Sequence, residues 1–182
     1  HACLMMGKGL FDETNPGFVG LYSGAASSPR VLHAIEEADL VFCAGVKFID
    51  TTTAGFSQHL SPEQTIDIQP DAIRVDDQWF HGIPMVTALS LVQQVCRTAL
   101  PVQPVLPAPV PGVPRQLGAL DQDAFWRVVQ GALQPGDIIL ADQGTASFGA
   151  ASLVLPREAQ LIVQPLWGAI GYTLPAAFGV QT

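Results

Sequence analysis

The sequence predicts an α/β protein: a mostly parallel sheet clothed by helices, forming one domain and the first part of a second. Three observations carry this expectation. Short apolar runs alternate with segments of helical period through residues 1–100. The alternation stops at a stretch with six prolines (Pro101, Pro104, Pro107, Pro109, Pro111 and Pro114) and resumes after it. Of the 182 residues, 48% are hydrophobic and only 13% charged, against about 25% charged in an average soluble domain. A parallel sheet covered on both faces needs that apolar share.

The elements follow in order. Ala2–Met6 is a short apolar run ending at Gly7-Lys8-Gly9, a strand followed by a turn. Phe18–Tyr22 suits a loop or short strand. Ser27-Ser28-Pro29 offers a helix cap with proline in the first turn, and Val31, Leu32, Ile35 and Ala38 then recur at helical spacing. Leu40–Ala44 reads as a buried strand with Cys43 as filler, because a continuous apolar run ends at Gly45. Gln64–Gln69 alternates up to Pro70, and Ile73–Val75 suits a further strand. Pro84–Leu100 predicts a helix with Val86, Leu89, Val92, Val95 and Cys96 on its apolar side.

Residues 101–118 cannot continue that helix, because proline lacks a backbone donor, and read as an extended linker. Beyond it, Asp121 caps a helix with Phe125, Val128, Val129 and Leu133 on one face, closed by Pro135-Gly136-Asp137. Ile138–Ala141 is a strand with a polar loop, Asp142–Ser147, at its carboxyl end. Leu161–Val163 is the next strand, and a helix-like segment starts within Gly168–Gly179. The division expected is a domain over 1–100, a linker over 101–118 and a partial domain over 119–182.

Composition excludes several classes of function. Net charge is −8 without a Lys/Arg cluster, which argues against nucleic acid as a partner. Cys3, Cys43 and Cys96 are widely spaced, with no C-x-x-C, so neither a zinc site nor a disulfide framework is expected. Reduced thiols and the lack of a signal-peptide pattern suggest the cytoplasm. No apolar run approaches the ~20 residues of a membrane span. Both ends read as cuts within a longer protein.

Two segments carry the chemistry: Ala141-Asp142-Gln143-Gly144-Thr145-Ala146-Ser147-Phe148-Gly149 and Gln164-Pro165-Leu166-Trp167-Gly168-Ala169-Ile170-Gly171-Tyr172-Thr173-Leu174. Each follows a predicted strand, where ligands of open α/β sheets bind. With Met6-Gly7-Lys8-Gly9-Leu10-Phe11-Asp12-Glu13, Gly17–Gly24, Thr51–Phe56 and Trp79–Pro84, they make the chain resemble the thiamine-diphosphate-dependent 2-oxo acid decarboxylases. The indolepyruvate and pyruvate decarboxylase branch is the nearest in pattern. The resemblance spans nearly the whole chain and is specific through the order and spacing of these segments.

The resemblance implies a Rossmann-like middle domain over 1–100 and the N-terminal part of a thiamine-diphosphate-binding domain over 119–182. It implies roles for five residues. Ile170 matches the branched side chain beneath the bend between the coenzyme's two rings. Gly168 matches the backbone carbonyl that accepts from the 4′-amino group, and Ala169 lies between the two. Thr145 matches a cofactor-contacting hydroxyl. Gln143 matches a position near the reacting centre and, in Asp-Gln-Gly-Thr, points to a bulky aryl substrate such as indole-3-pyruvate.

The parent enzyme would use thiamine diphosphate and Mg²⁺, turn a 2-oxo acid into an aldehyde and CO2, and form a homodimer or homotetramer. The family's Gly-Asp-Gly metal motif is absent from these 182 residues, so no metal ligand is assigned. The pyrimidine-binding domain with its glutamate and paired histidines is also absent; His1, His33, His59 and His81 are each isolated. The chain alone is therefore expected to be inactive. Rival readings are a carboligase using the same cofactor and a non-catalytic structural or regulatory module.

Plainer roles stand beside these. Gly168 and Gly171 would also suit close packing, Ile170 a core position, Gln143 a turn cap and Thr145 a helix N-cap. Gly7-Lys8-Gly9 fails the dinucleotide-binding pattern because position 12 is Asp. Asp12-Glu13 reads as a solvated turn before Asn15-Pro16, and Trp79 and Phe80 as packing residues.

Overall fold

A computed structural model describes residues 1–98 and 120–182. The proline-rich linker expected over 101–118 lies outside the described residues. The described chain falls into two compact units, one of residues 1–23 with 120–182 and the other of residues 24–98.

In the first unit, β1 (Ala2–Cys3) and β2 (Gly20–Leu21) pair in parallel. After Asp121, whose carboxylate accepts from the Ala124 N–H at 2.7 Å, α3 spans Gln122–Ala132. Next come β7 (Ile138–Leu140), α4 (Thr145–Ala151) and β8 (Gln160–Ile162). β7 and β8 are parallel, in register Ile138 to Gln160 and Leu140 to Ile162. Parallel neighbours need a crossover between them, and α4 supplies it. The last element, α5, covers Thr173–Gln181.

The core of this unit is Ala141, Ala150, Leu153, Leu155, Ala159 and Leu161, with Trp126, Val129 and Leu133 packed on it. The inward side of α3 thus differs from the expected one. Val129 and Leu133 face in, while Phe125 and Val128 are exposed. Trp126 decides the rotation. A Cβ built at Gly149 would overlap the Trp126 indole, so the ring lies flat on the bare glycine of α4. Gln130 adds a polar clamp: its amide accepts from the Val154 N–H at 2.7 Å and donates to the Val154 carbonyl at 2.9 Å.

In the second unit, α1 (Pro29–Glu36) starts at Ser28, whose hydroxyl accepts from the Val31 N–H. A four-stranded sheet follows in the order β3 (Val41–Ala44), β4 (Thr65–Gln69), β5 (Ala72–Val75), β6 (Gln78–His81). β3 and β4 are parallel, as a Rossmann-like unit requires, but β4, β5 and β6 form an antiparallel meander. The reason is local. Only Pro70-Asp71 and Asp76-Asp77 separate the paired strand ends, and two-residue connections make hairpins. Asp76 takes φ +51°, a left-handed conformation that aspartate tolerates. Among the described residues, three of the five strand pairings are parallel.

α2 (Met85–Thr98) forms where the periodicity predicts, and lies against β4 and β5. Its inner stripe is Ala88 flanked by half-buried Met85 and Val92, whereas Val86, Leu89, Val95 and Cys96 are exposed. Trp79 and Phe80 are likewise about half exposed, at 45% and 46%. They stand on the edge strand instead of serving as packing residues, with Trp79 stacked on His81 at 6.3 Å between centroids. Cys43 is buried in β3 as expected, and burial pushes its thiol up to about 11. No helix among the described residues is long and apolar enough to cross a membrane.

Candidate cofactor site

The two segments singled out in the sequence meet in the first unit, at the carboxyl ends of the parallel strands β7 and β8. Ala141 continues β7 by donating to the Ile162 carbonyl at 3.2 Å. The chain then leaves the sheet through Asp142, Gln143 and Gly144. The Asp142 carboxylate accepts the Gly171 N–H at 2.8 Å. A Cβ on Gly168 would lie 3.9 Å from Gln143 Cγ. One loop is thereby laid over the other at two adjacent points.

Glycine is needed at both points. Gly168 has φ +58° and Gly171 φ +84°, where side chains with a Cβ are strained. Between these two turns the backbone presents Ile170 outward beside a half-buried Ala169. Ile170 is 85% exposed and Trp167 80% exposed. The packing alternatives for Ile170 and Gly171 are therefore not what the fold uses: Ile170 is outside the core, and nothing lies within 4 Å of a Cβ at Gly171.

Thr145 does not cap the helix. Gly144 precedes α4 with φ +123°, and Thr145 is its first residue, with an exposed side chain. The polar loop expected over Asp142–Ser147 is correspondingly shorter, because the helix has begun by Thr145. Ser147 is fully buried; its hydroxyl donates to the Gly144 carbonyl at 2.9 Å, with Gln143 Oε1 at 3.5 Å. Gln143 is half-buried. So Gln143 and Gly168 come together, and Thr145, Ala169 and Ile170 lie on the same two loops, Thr145 and Ile170 exposed and Ala169 half-buried.

Electrostatics single out Asp142, a residue to which the sequence assigns no role. The Gly171 N–H holds its carboxyl below the usual range, outweighing the opposing effect of desolvation; Thr173 and the Gln143 N–H add to it. A carboxylate directly after a strand and before Gly-Thr was the available signal, since such a position can reach a neighbouring crossover loop.

Glu13 was missed more plainly. It is not in a solvated turn. Lys8 Nζ lies 2.9 Å and 2.7 Å from its two carboxylate oxygens, and Glu13 Oε2 also accepts the Leu155 N–H at 2.9 Å. Both side chains are almost fully buried, at 3% and 1% exposure. Asp12 alone behaves as a turn residue, accepting from the Thr14 N–H and hydroxyl. Lys8 is consequently committed to Glu13 and is no phosphate-binding lysine.

A family model for the central domain of thiamine pyrophosphate enzymes matches residues 2–95. The chain belongs to the thiamine pyrophosphate enzyme family. It is 45% identical to an alpha-keto-acid decarboxylase of Mycobacterium ulcerans over 98% of its length. The corresponding protein of Mycobacterium tuberculosis is also 45% identical over 98% of the chain, and that of Mycobacterium leprae 44%. The chain spans about a third of the length of these relatives, 32%, 33% and 32% respectively.

The residues present fit part of the family's cofactor. Two glycines with left-handed φ leave bare backbone beside an outward isoleucine, a surface on which a flat heterocycle can rest. Among the described residues there is no group of three or more His, Cys, Asp or Glu side chains that could hold a metal ion.

Proposed function

We propose that this chain is the middle part of a thiamine-diphosphate-dependent 2-oxo acid decarboxylase, with residues 1–100 as its middle domain, 101–118 as linker and 119–182 opening the cofactor-binding domain. The observation that carries the reading is the meeting of Asp142-Gln143 with Gly168–Gly171 at the strand ends, in a chain 45% identical to alpha-keto-acid decarboxylases. Bound thiamine diphosphate would supply the electron sink that decarboxylation needs.

This chain's own residues then have defined tasks. Ile170 would support the coenzyme through its exposed branched side chain. The Gly168 carbonyl would accept from the coenzyme's amino group, and Thr145 and Ala169 would contact it from the two loops. Exposed Leu166 and Trp167 offer apolar surface that lowers the polarity around the reacting carboxylate. Gln143, half-buried beside Gly168, faces the substrate and favours an aryl 2-oxo acid, with indole-3-pyruvate first. Mg²⁺ would be held by residues outside this chain. The complete protein is a cytoplasmic homodimer or homotetramer in this reading, and the 182-residue chain by itself is inactive. A carboligase would share all of these cofactor contacts and differ in the acceptor used after CO2 leaves.

Two measurements test the reading. Calorimetric titration of this chain with thiamine diphosphate and Mg²⁺ should give no tight binding; a micromolar dissociation constant overturns the claim that it is incomplete. In the full-length protein, aldehyde should form faster from indole-3-pyruvate than from pyruvate, and a clear preference for pyruvate removes the role given to Gln143.

A further inference from the structure

We infer that Asp142 is a positioning residue, whose carboxylate holds the Gly168–Gly171 turn in the one shape that presents the Gly168 carbonyl and the Ile170 side chain together. The inference rests on the cofactor reading above and deepens it, since no role has so far been given to this side chain.

Little else fixes the far end of that turn. Pro165 is buried and Gly168 and Ala169 are half-buried, but Leu166, Trp167, Ile170, Gly171 and Tyr172 are exposed, so packing holds the entry to the turn and does not set the conformation of its far end. Its two glycines carry no Cβ and lose more conformational freedom on ordering than any other residue. A segment of this kind stays in one shape only through specific polar contacts. The contact at its start is the Trp167 N–H to Gln164 Oε1, at 3.0 Å, entirely within the segment. At its end the Gly171 N–H donates to Asp142 Oδ2 at 2.8 Å, with Thr173 bonded to the same carboxylate, and these contacts tie the turn to the end of β7.

The anchor point itself is rigid. Ala141, one residue before Asp142, is a buried core residue and pairs with Ile162 of β8. The Ser147 N–H donates to the Asp142 carbonyl at 3.1 Å, fastening the main chain of Asp142 to α4. A carboxylate on so fixed a backbone is a good reference for a mobile partner. The bond is charge-assisted, which shortens and strengthens it relative to a neutral one. Gly171 lies directly after Ile170 and three residues after Gly168, so a bond at its N–H sets the peptide plane that carries Ile170 and closes the turn that carries the Gly168 carbonyl.

The experiment has one arm without cofactor and one with it. In this chain, hydrogen exchange at the Gly171 amide should be at least about tenfold faster in Asp142→Ala than in the unmodified chain, with exchange in β7 and β8 unchanged. Asp142→Asn, which keeps an acceptor oxygen but loses the charge, should fall between the two. In the full-length protein, Asp142→Ala should weaken thiamine diphosphate binding about tenfold or more at an unchanged unfolding temperature, and Asp142→Asn should restore part of it.

Unchanged Gly171 exchange in Asp142→Ala overturns the inference at its geometric root. Faster exchange with unaltered cofactor affinity overturns the positioning role, provided that Ile170→Ala in the same protein does impair cofactor use. If Ile170→Ala is also without effect, the cofactor reading itself has failed. A variant with a lowered unfolding temperature and lost protection throughout β7 and β8 would make Asp142 a residue of the fold, and that too overturns the inference.

Discussion

Two neighbouring regions of the first unit treat apolar residues in opposite ways. Between Ala150 and Leu161 the core side chains are shut away: Ala150 and Leu155 are each 1% exposed, Leu153 and Ala159 2%. Between Leu166 and Phe178 they stand outward: Ile170 is 85% exposed, Leu174 71% and Phe178 70%. The first region is closed by steric fit and by a buried ion pair. The second is held by backbone bonds to Gln164 and Asp142. Stability should therefore reside in one and ligand contact in the other.

The largest effect is expected where the closed region takes its charge. Lys8→Met leaves the Glu13 carboxylate buried without its ion-pair partner, accepting from the Leu155 N–H. Unpaired buried charges of this kind cost about 3–5 kcal/mol, and chemical denaturation should show a loss of that order. A loss no larger than for a surface substitution would mean that the site is wet in solution.

Gly149→Ala comes next. The added methyl overlaps the Trp126 indole, and overpacking costs typically about 1–3 kcal/mol. Its unfolding midpoint should drop, and the double variant with Trp126→Leu should recover part of the loss. Absence of recovery would show that the indole is free to move off the glycine.

Ile170→Ala should do the reverse of both. Removing an exposed side chain should change stability by less than about 0.5 kcal/mol, while turnover of the full-length protein falls steeply. A drop in unfolding temperature with turnover preserved would transfer Ile170 to the closed region and end the contrast.

The smallest effect concerns pH. The Asp142 carboxyl titrates below its ordinary value because the Gly171 N–H favours the charged form. Its contribution is therefore fully present above the unfolded value of about 3.9 and is lost as pH falls through the lower, folded one. The Gly171 amide resonance should stay constant on acidification from neutrality and shift only below the usual aspartate range. A shift centred at or above about 4 would break the link between the two loops.

Much of this architecture is readable from residue order. Ser28 and Asp121 cap the helices they were expected to cap, because a side-chain acceptor next to the first turn acts within three residues. β3, β4, β5, β7 and β8 lie within a residue or two of the runs that predict them. The meeting of the two motif loops is implied by their shared place after successive strands. What periodicity misplaces is rotation about the axis. α3 turns Trp126 inward and Phe125 outward, and α2 buries Ala88 instead of Leu89, because the winning face depends on what it packs against.

The sequence by itself determined the family, the α/β alternation and the pair of loops that carry the candidate site. These are properties of local propensity, spacing and motif order. Only the tertiary structure decided that Glu13 is buried against Lys8 and Leu155, 142 positions away in the last case, and that Asp142 reaches Gly171 across 29. A carboxylate near a turn looks the same in sequence whether it meets water, a lysine or a distant amide; the partner is chosen by which strand ends the packed core brings together.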